Sequence, residues 1–307
     1  MSTPGEYGSA PEPSGIPAMP PPSAARSKVT GGQLLSAAWG VLNKDREMIL
    51  LPVLASVFSV IAVIPFVATG AFFEATQQSS SPVLHWIVRV FLLFVTMFVA
   101  TTIAVYFQVA LVSAVYERIE GGDPTLGSAL SAAWRERVRI IQWAFLSAVV
   151  GLIIKLIADR VGGIGQLIIN ALAGVAWTIA SLFVVPIIVA QGLGPIEALK
   201  ESAALITRTW GKSLRAGIRF GITQFLVTLI PFAIMLVGFA IMATGSTVGL
   251  VSGGAVAAVG VLGLVAVGVF FNALATALRA MIYRYAVGLP VPGSDTNVLA
   301  GAFQVKR

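Results

Sequence analysis

Cysteine is absent from all 307 residues, and there is a single histidine, His85. The first absence excludes disulfides, thiolate nucleophiles and cysteine-ligated metals. The second leaves no histidine cluster to hold a metal. Charge is scarce as well: 11% of residues are Asp, Glu, Lys or Arg, against 57% apolar. Soluble domains carry roughly a quarter charged residues, so this balance belongs in a membrane. Walker, GxGxxG, HExxH and GxSxG spacings are missing too, and with them the usual marks of nucleotide, dinucleotide, zinc-protease and serine-hydrolase chemistry. No enzymatic activity, no cofactor and no nucleic-acid partner are expected.

What the chain has is long apolar runs. About 20 residues of helix cross a ~30 Å hydrocarbon core, and six stretches qualify: Met48–Gly70, Leu84–Val115, Ile140–Ala158, Leu167–Gln191, Gly217–Ala243 and Gly254–Tyr285. The second and sixth exceed the bilayer and should tilt or continue beyond it. Pro65, Pro186 and Pro231 fall inside spans, where they mark kinks. The fold class is therefore all-α, a polytopic membrane protein with six transmembrane helices.

Basic residues orient it. Seventeen of the twenty Lys and Arg precede span one, follow the core of span six, or lie between the cores of spans two and three or four and five; Arg89, Lys155 and Arg160 are the remainder. The positive-inside rule then places both termini in the cytoplasm. Arginine's excess over lysine, with abundant Ala, Val and Gly, suits a GC-rich bacterial genome, so the membrane expected is a bacterial inner membrane. Residues 1–30, rich in Pro, Ser and Gly, read as a disordered cytoplasmic tail, with "AMPPPSAAR" as its one docking-like segment. The first apolar run begins too late for a signal peptide. The six-helix domain occupies 31–286, and 287–307 form a cytoplasmic C-terminal tail. The opposite loops, Ala71–Val83, Asp159–Gln166 and Thr244–Gly253, are too short to fold as domains.

Three phrases repeat ahead of the odd-numbered spans: "LSAAW" at 35–39 and at 130–134, and "SAALITRTW" at 202–210. Ile196, Leu199, Ala203, Ile206 and Trp210 step by 3 and 4, which is one face of a helix. The phrases predict three short cytoplasmic interfacial amphipathic helices, with Trp39, Trp134 and Trp210 as anchors at headgroup level. Asp123 is a natural N-cap for the second, with Pro124 following; Pro195 opens the third. The chain thus reads as three units of short helix, span out, span back.

The stretches "LVSAVYERIEGGDPTLGSALSAAWRERVRIIQWAFLSAVVGLIIKLI" and "AWTIASLFVVPIIVAQGLGPIEALKESAALITRTWG", with "LNKDREMILLPVLASV" and "RAMIYRYA", resemble a family of uncharacterised bacterial six-span integral membrane proteins, a domain of unknown function. The resemblance covers about Gln33–Ala286 and implies six helices and membrane location, with no activity or site residues to carry over. More loosely, the layout is similar to the membrane domain attached to some glycerophosphodiester phosphodiesterases, whose catalytic domain has no counterpart here.

Candidate sites are few. Gln108, Asn170, Gln224 and Asn272 are amides in apolar spans, either packing hydrogen bonds between helices or the lining of a polar path. Arg135, Arg137, Arg139, Lys212, Arg215 and Arg219 cluster at two span entrances, where anionic lipid is the expected contact. Glu74, Arg89, Lys155 and Asp159 are candidates for a ring around an outward cavity, or simply snorkelling surface charges. Asp45 and Glu47 alternate with Lys44 and Arg46 as a self-compensating surface patch. Gly245, Gly249 and Gly253 form either a close-packing face or a flexible loop. His85 and Trp86 read as an interfacial anchor. The expected partners are membrane lipids, with a protein partner or a second copy as further options. The function expected is that of a non-catalytic membrane organiser or scaffold, with a transporter or channel as the alternative and a lipid-acting enzyme as the remotest.

Overall fold

The computed structural model describes residues 31–76, 81–210, 215–289 and 291. Ten helices follow one another in these residues: α1 (Gly31–Leu42), α2 (Arg46–Thr76), α3 (Pro82–Ile119), α4 (Leu126–Arg135), α5 (Arg137–Val161), α6 (Gly163–Ala180), α7 (Val184–Gln191), α8 (Pro195–Trp210), α9 (Arg215–Met242) and α10 (Thr247–Ala286). Six segments are long and apolar enough to cross a membrane: α2, α3, α5, α6 with α7, α9 and α10. The short helices α1, α4 and α8 each stand before a pair of them. That is the order short helix, span, span, three times over. The N-terminal tail, Lys212 and residues 292–307 lie outside the described residues.

Local chemistry sets the boundaries. Ser81 caps α3, its hydroxyl accepting the Leu84 amide at 3.3 Å, with Pro82 in the first turn. α4 begins two residues later than Asp123 would place it. Thr125 is the cap, in a reciprocal capping box with Ser128 at 3.0 Å each way. Pro195 does open α8. Gly192, at φ 63°, ends α7 in the left-handed conformation that glycine adopts without strain.

Helices also extend further into the opposite loops than the apolar runs suggest. α2 reaches Thr76 and α10 starts at Thr247, while the single residue Gly162, at φ 68°, separates α5 from α6. Proline acts unequally. α2 continues through Pro52 and Pro65, and α9 through Pro231. The fourth span, by contrast, breaks at Ser181–Phe183, just upstream of Pro186. The proline ring clashes with the carbonyl four residues back, that of Leu182. The Phe183 amide freed by the break donates to the buried Ser202 hydroxyl of α8 at 3.1 Å. One polar atom of the third repeated phrase thus repairs the backbone of the preceding span.

The core sits at the end that carries α1, α4 and α8, called the basic end below. Val105–Ile119 of α3, Phe183–Ile188 and Phe271–Arg284 supply most of its buried residues, joined by Leu42, Met48, Ala133 and Ala198. Packing continues past Ala286 to Val291, which is buried. Towards the other end Ile61, Phe72, Val83, Leu172, Ile230 and Val251 are exposed, as lipid-facing side chains are. α6 buries no residue at all.

α9 and α10 are the exception there, because their backbones meet. A Cβ added to Gly238 would lie 2.3 Å from the Ala257 amide nitrogen, and one on Gly253 would lie 2.6 Å from the Gly238 carbonyl. Gly249 and Gly253 therefore belong to a close-packing face, continued by Ala257 and Gly260. Gly245, at φ 72°, belongs to the turn before it.

Candidate functional site

At the basic end, charges point inward and pair between the three units. Arg118, in the last turn of α3, clasps Asp45 through two guanidinium nitrogens and reaches Asp123 at 2.6 Å. Glu47 accepts the Leu126 amide at 2.7 Å. Asp45 and Glu47 are thus not a self-compensating patch with their sequence neighbours. They tie the start of α2 to the end of α3 and the start of α4. Arg284 donates to Glu120 at 2.6 Å and stacks over the Tyr116 ring at 5.5 Å. The Tyr283 hydroxyl accepts from Gln191 at 2.7 Å, and Tyr106 donates to the Leu130 carbonyl at 3.0 Å.

Between α2, α3 and α10 lies a cavity of about 410 Å³ with a mainly apolar wall, including Pro52, Val60, Phe107, Leu111 and Val265. Gln108, Asn272 and Thr276 line it too. Gln108 and Thr276 also line a second cavity of about 100 Å³, whose wall includes Trp143, Ser181 and Arg279. Two amides expected on one path therefore meet at one cavity. Gln224 does not line it, and Asn170 is exposed on α6.

Of the arginines expected at lipid, Arg135 is exposed and lines a polar cavity of about 790 Å³ together with Glu117, Glu120, Glu136 and Arg284. Arg137 is exposed and stacks over Trp134 at 5.3 Å, while Arg139 pairs with Glu136. Arg215 and Arg219 open α9, and Trp210 closes α8; their side chains, like that of Glu74, are outside the described ones. Trp134 is exposed, and Trp39 packs on Phe270 at 5.5 Å.

At the opposite end a cavity of about 360 Å³ is bordered by Trp86, Arg89, Lys155, Asp159 and Arg160. Lys155 pairs with Asp159 at 3.2 Å, and His85 stacks on Phe73 at 4.9 Å. Among the described residues no three His, Asp or Glu side chains form a group fit for a metal ion.

Sequence reasoning counted Arg279 only as a topology residue and passed over Thr276 and Ser202. The pair Thr276 and Arg279, one helical turn apart in an otherwise apolar span, was the available signal.

Helices throughout the described residues, six of them fit to cross a bilayer, define an all-α multi-pass membrane protein. Within that class the model of a family of unknown function, DUF6159, matches residues 85–291, and the chain belongs to that family. α1, all of α2 and the first residues of α3 precede the matched region. No curated protein matches the chain. The looser likeness to the membrane domain of glycerophosphodiester phosphodiesterases finds no support in these comparisons.

Proposed function

We propose that this protein is a non-catalytic organiser of a bacterial inner membrane, holding lipid and partner proteins at its basic end. The termini and the basic end face the cytoplasm. The supporting observation is a division of labour among the arginines. Arg118, Arg139 and Arg284 are used up in ion pairs. Arg135 and Arg137 remain exposed on and just after α4, beside the exposed Trp134. A cation and an indole side by side suit an anionic headgroup layer, where each Lys or Arg contributes about 1 kcal/mol.

The test is the triple change Arg135→Gln, Arg137→Gln and Arg139→Gln. In native-lipid discs it should leave insertion intact and lower the anionic lipid that co-purifies. Unchanged recovery would return these residues to setting topology alone.

A transporter remains the second reading, and one observation favours it: Gln108 and Asn272 share a cavity. However, that cavity and the one beside Arg89 have no lining residue in common. Cysteines placed at Gln108 and Asn272 should stay silent to a membrane-impermeant thiol reagent applied from the outer side. Reaction at both would make transport the leading reading.

A further inference from the structure

Arg279 is the arginine at the basic end whose surroundings do not account for it. It is half-buried, and the small cavity that it lines has no acidic residue in its wall. It has no ion-pair or hydrogen-bond partner among the described residues. The other inward-reaching arginines, Arg118, Arg139 and Arg284, each meet a carboxylate. A guanidinium removed from water without a counter-charge is costly.

One turn earlier, Thr276 is buried, and its hydroxyl has no hydrogen-bond partner. That is unusual within this molecule. Thr96, Thr102, Thr178 and Thr228 all donate to the carbonyl four residues back, at 2.7–2.8 Å. Thr276 lies between the two cavities, lining both, as does Gln108.

The two cavities share Gln108 and Thr276 in their walls and, taken as adjoining lobes of one seam, run from polar to apolar. Its polar lobe, about 100 Å³, is lined by Arg279, Ser181 and Trp143 among others. Its larger lobe follows α10 from Thr276 back to Val265 and α2 from Pro52 to Val60, and is mostly apolar. Depth along the helices fits the same direction. Arg279 stands 32 residues beyond Thr247, ~48 Å at 1.5 Å per residue. Gln108 stands 26 residues beyond Pro82, ~39 Å by the same rise. A hydrocarbon core of ~30 Å that starts near Thr247 has finished before Arg279 even at a ~20° tilt, and one that starts after the interfacial Trp86 and Arg89 ends close to Gln108. The polar lobe therefore lies at headgroup level, and the apolar lobe runs back into the leaflet.

We propose that this seam binds one anionic phospholipid of the leaflet at the basic end. Its phosphate lies on Arg279, with Thr276 and Gln108 donating to phosphate or ester oxygens, and one acyl chain fills the apolar lobe. A net negative headgroup is selected because the lobe brings a cation and no carboxylate. The site rests on the lipid-binding reading above and differs from it in place, since Arg279 lies between helices and Arg135 and Arg137 lie on the surface.

The full chain, in discs of phosphatidylcholine containing a minor share of phosphatidylglycerol, tests it. Lipid retained after detergent extraction is counted by native mass spectrometry. The wild type should keep one phosphatidylglycerol per chain in preference to phosphatidylcholine. Arg279→Gln should lower that preference by about tenfold, in line with loss of a charge-assisted contact. Arg279→Lys should restore part of it, and Thr276→Val should give a smaller loss.

A phosphatidylglycerol with a photoreactive acyl chain should cross-link to residues 52–60 and 265–276 of the wild type, and less in Arg279→Gln. Thr276→Val keeps the comparison open if removal of the arginine unfolds the protein. Equal retention of both lipids by the wild type overturns the site, and so do cross-links with no enrichment at those residues. Lipid lost in the Arg135, Arg137 and Arg139 triple variant but kept in Arg279→Gln would overturn the site alone. Lipid kept in both would overturn the broader reading as well.

Discussion

The two ends of the molecule are built by different means. At the basic end, α1, α4 and α8 wedge between spans, and the contacts are specific. Arg118 joins Asp45 and Asp123, Glu47 holds the Leu126 amide, and Ser202 satisfies Phe183. At the opposite end the helices stand as hairpins with apolar faces turned outward, and a hairpin such as α9–α10 is held by backbone contact at glycine. The contrast follows from the solvent. Where lipid surrounds a helix, burying apolar area gains little and small residues let backbones approach. Where water is near, charges can be paired and apolar side chains driven inward. The basic end is thus the platform that fixes how the hairpins are arranged.

Breaking one ion pair at each end exposes the difference most strongly. Arg118→Ala should cost about 3 kcal/mol, the low end for a buried pair, because the guanidinium is 23% exposed and Asp45 11%. Thermal unfolding in a mild detergent measures it. Next comes Gly238→Val. Its side chain must displace the Ala257 backbone, and overpacking of this kind costs about 2 kcal/mol. The readout is again unfolding, and the loss should be confined to the α9–α10 hairpin.

Ser202→Ala leaves the Phe183 amide buried without its partner and should cost about 1–2 kcal/mol. The effect belongs to the basic end although the change is a single hydroxyl. Smallest is Lys155→Ala at the far end. Its pair with Asp159 has both side chains more than two-fifths exposed, and such pairs contribute at most about 1 kcal/mol. A loss as large as that from Arg118→Ala would erase the distinction between the ends.

Much of the fold was legible in the sequence, and the reasons are specific. Apolar runs of helical length located the six spans, because a bilayer imposes one length on all of them. The 3-and-4 spacing of Ile196, Leu199, Ala203 and Ile206 located α8. Pro65, Pro186 and Pro231 pointed equally to three spans as kinked, whereas the helix breaks near Pro186 and runs on through the other two. What composition could not carry was which helices meet. Asp45 and Arg118 are 73 residues apart, and an alternating NKDRE run offers nearer partners for every charge. Glu47 was misread for the same reason. Gly249 and Gly253 were ambiguous until Ile241 and Gly238, on another helix, were seen to face them. The candidate site was half legible: amides in apolar spans drew notice to Gln108 and Asn272, while Arg279 was hidden by serving the positive-inside count equally well.

The basic end holds the spans together while the α9–α10 hairpin projects apart from the α5–α6 hairpin, which packs on α3. The chain has no cysteine, so spin labels can be placed in pairs at will. One pair, at Ser131 of α4 and Lys200 of α8, spans the basic end; the other, at Arg160 and Thr244, spans the tips of the α5–α6 and α9–α10 hairpins. All four positions are exposed. Electron–electron distance measurements in lipid discs should give a narrow distribution for the first pair and a clearly broader one for the second. Equal widths, or a broader distribution at the basic end, would contradict the account.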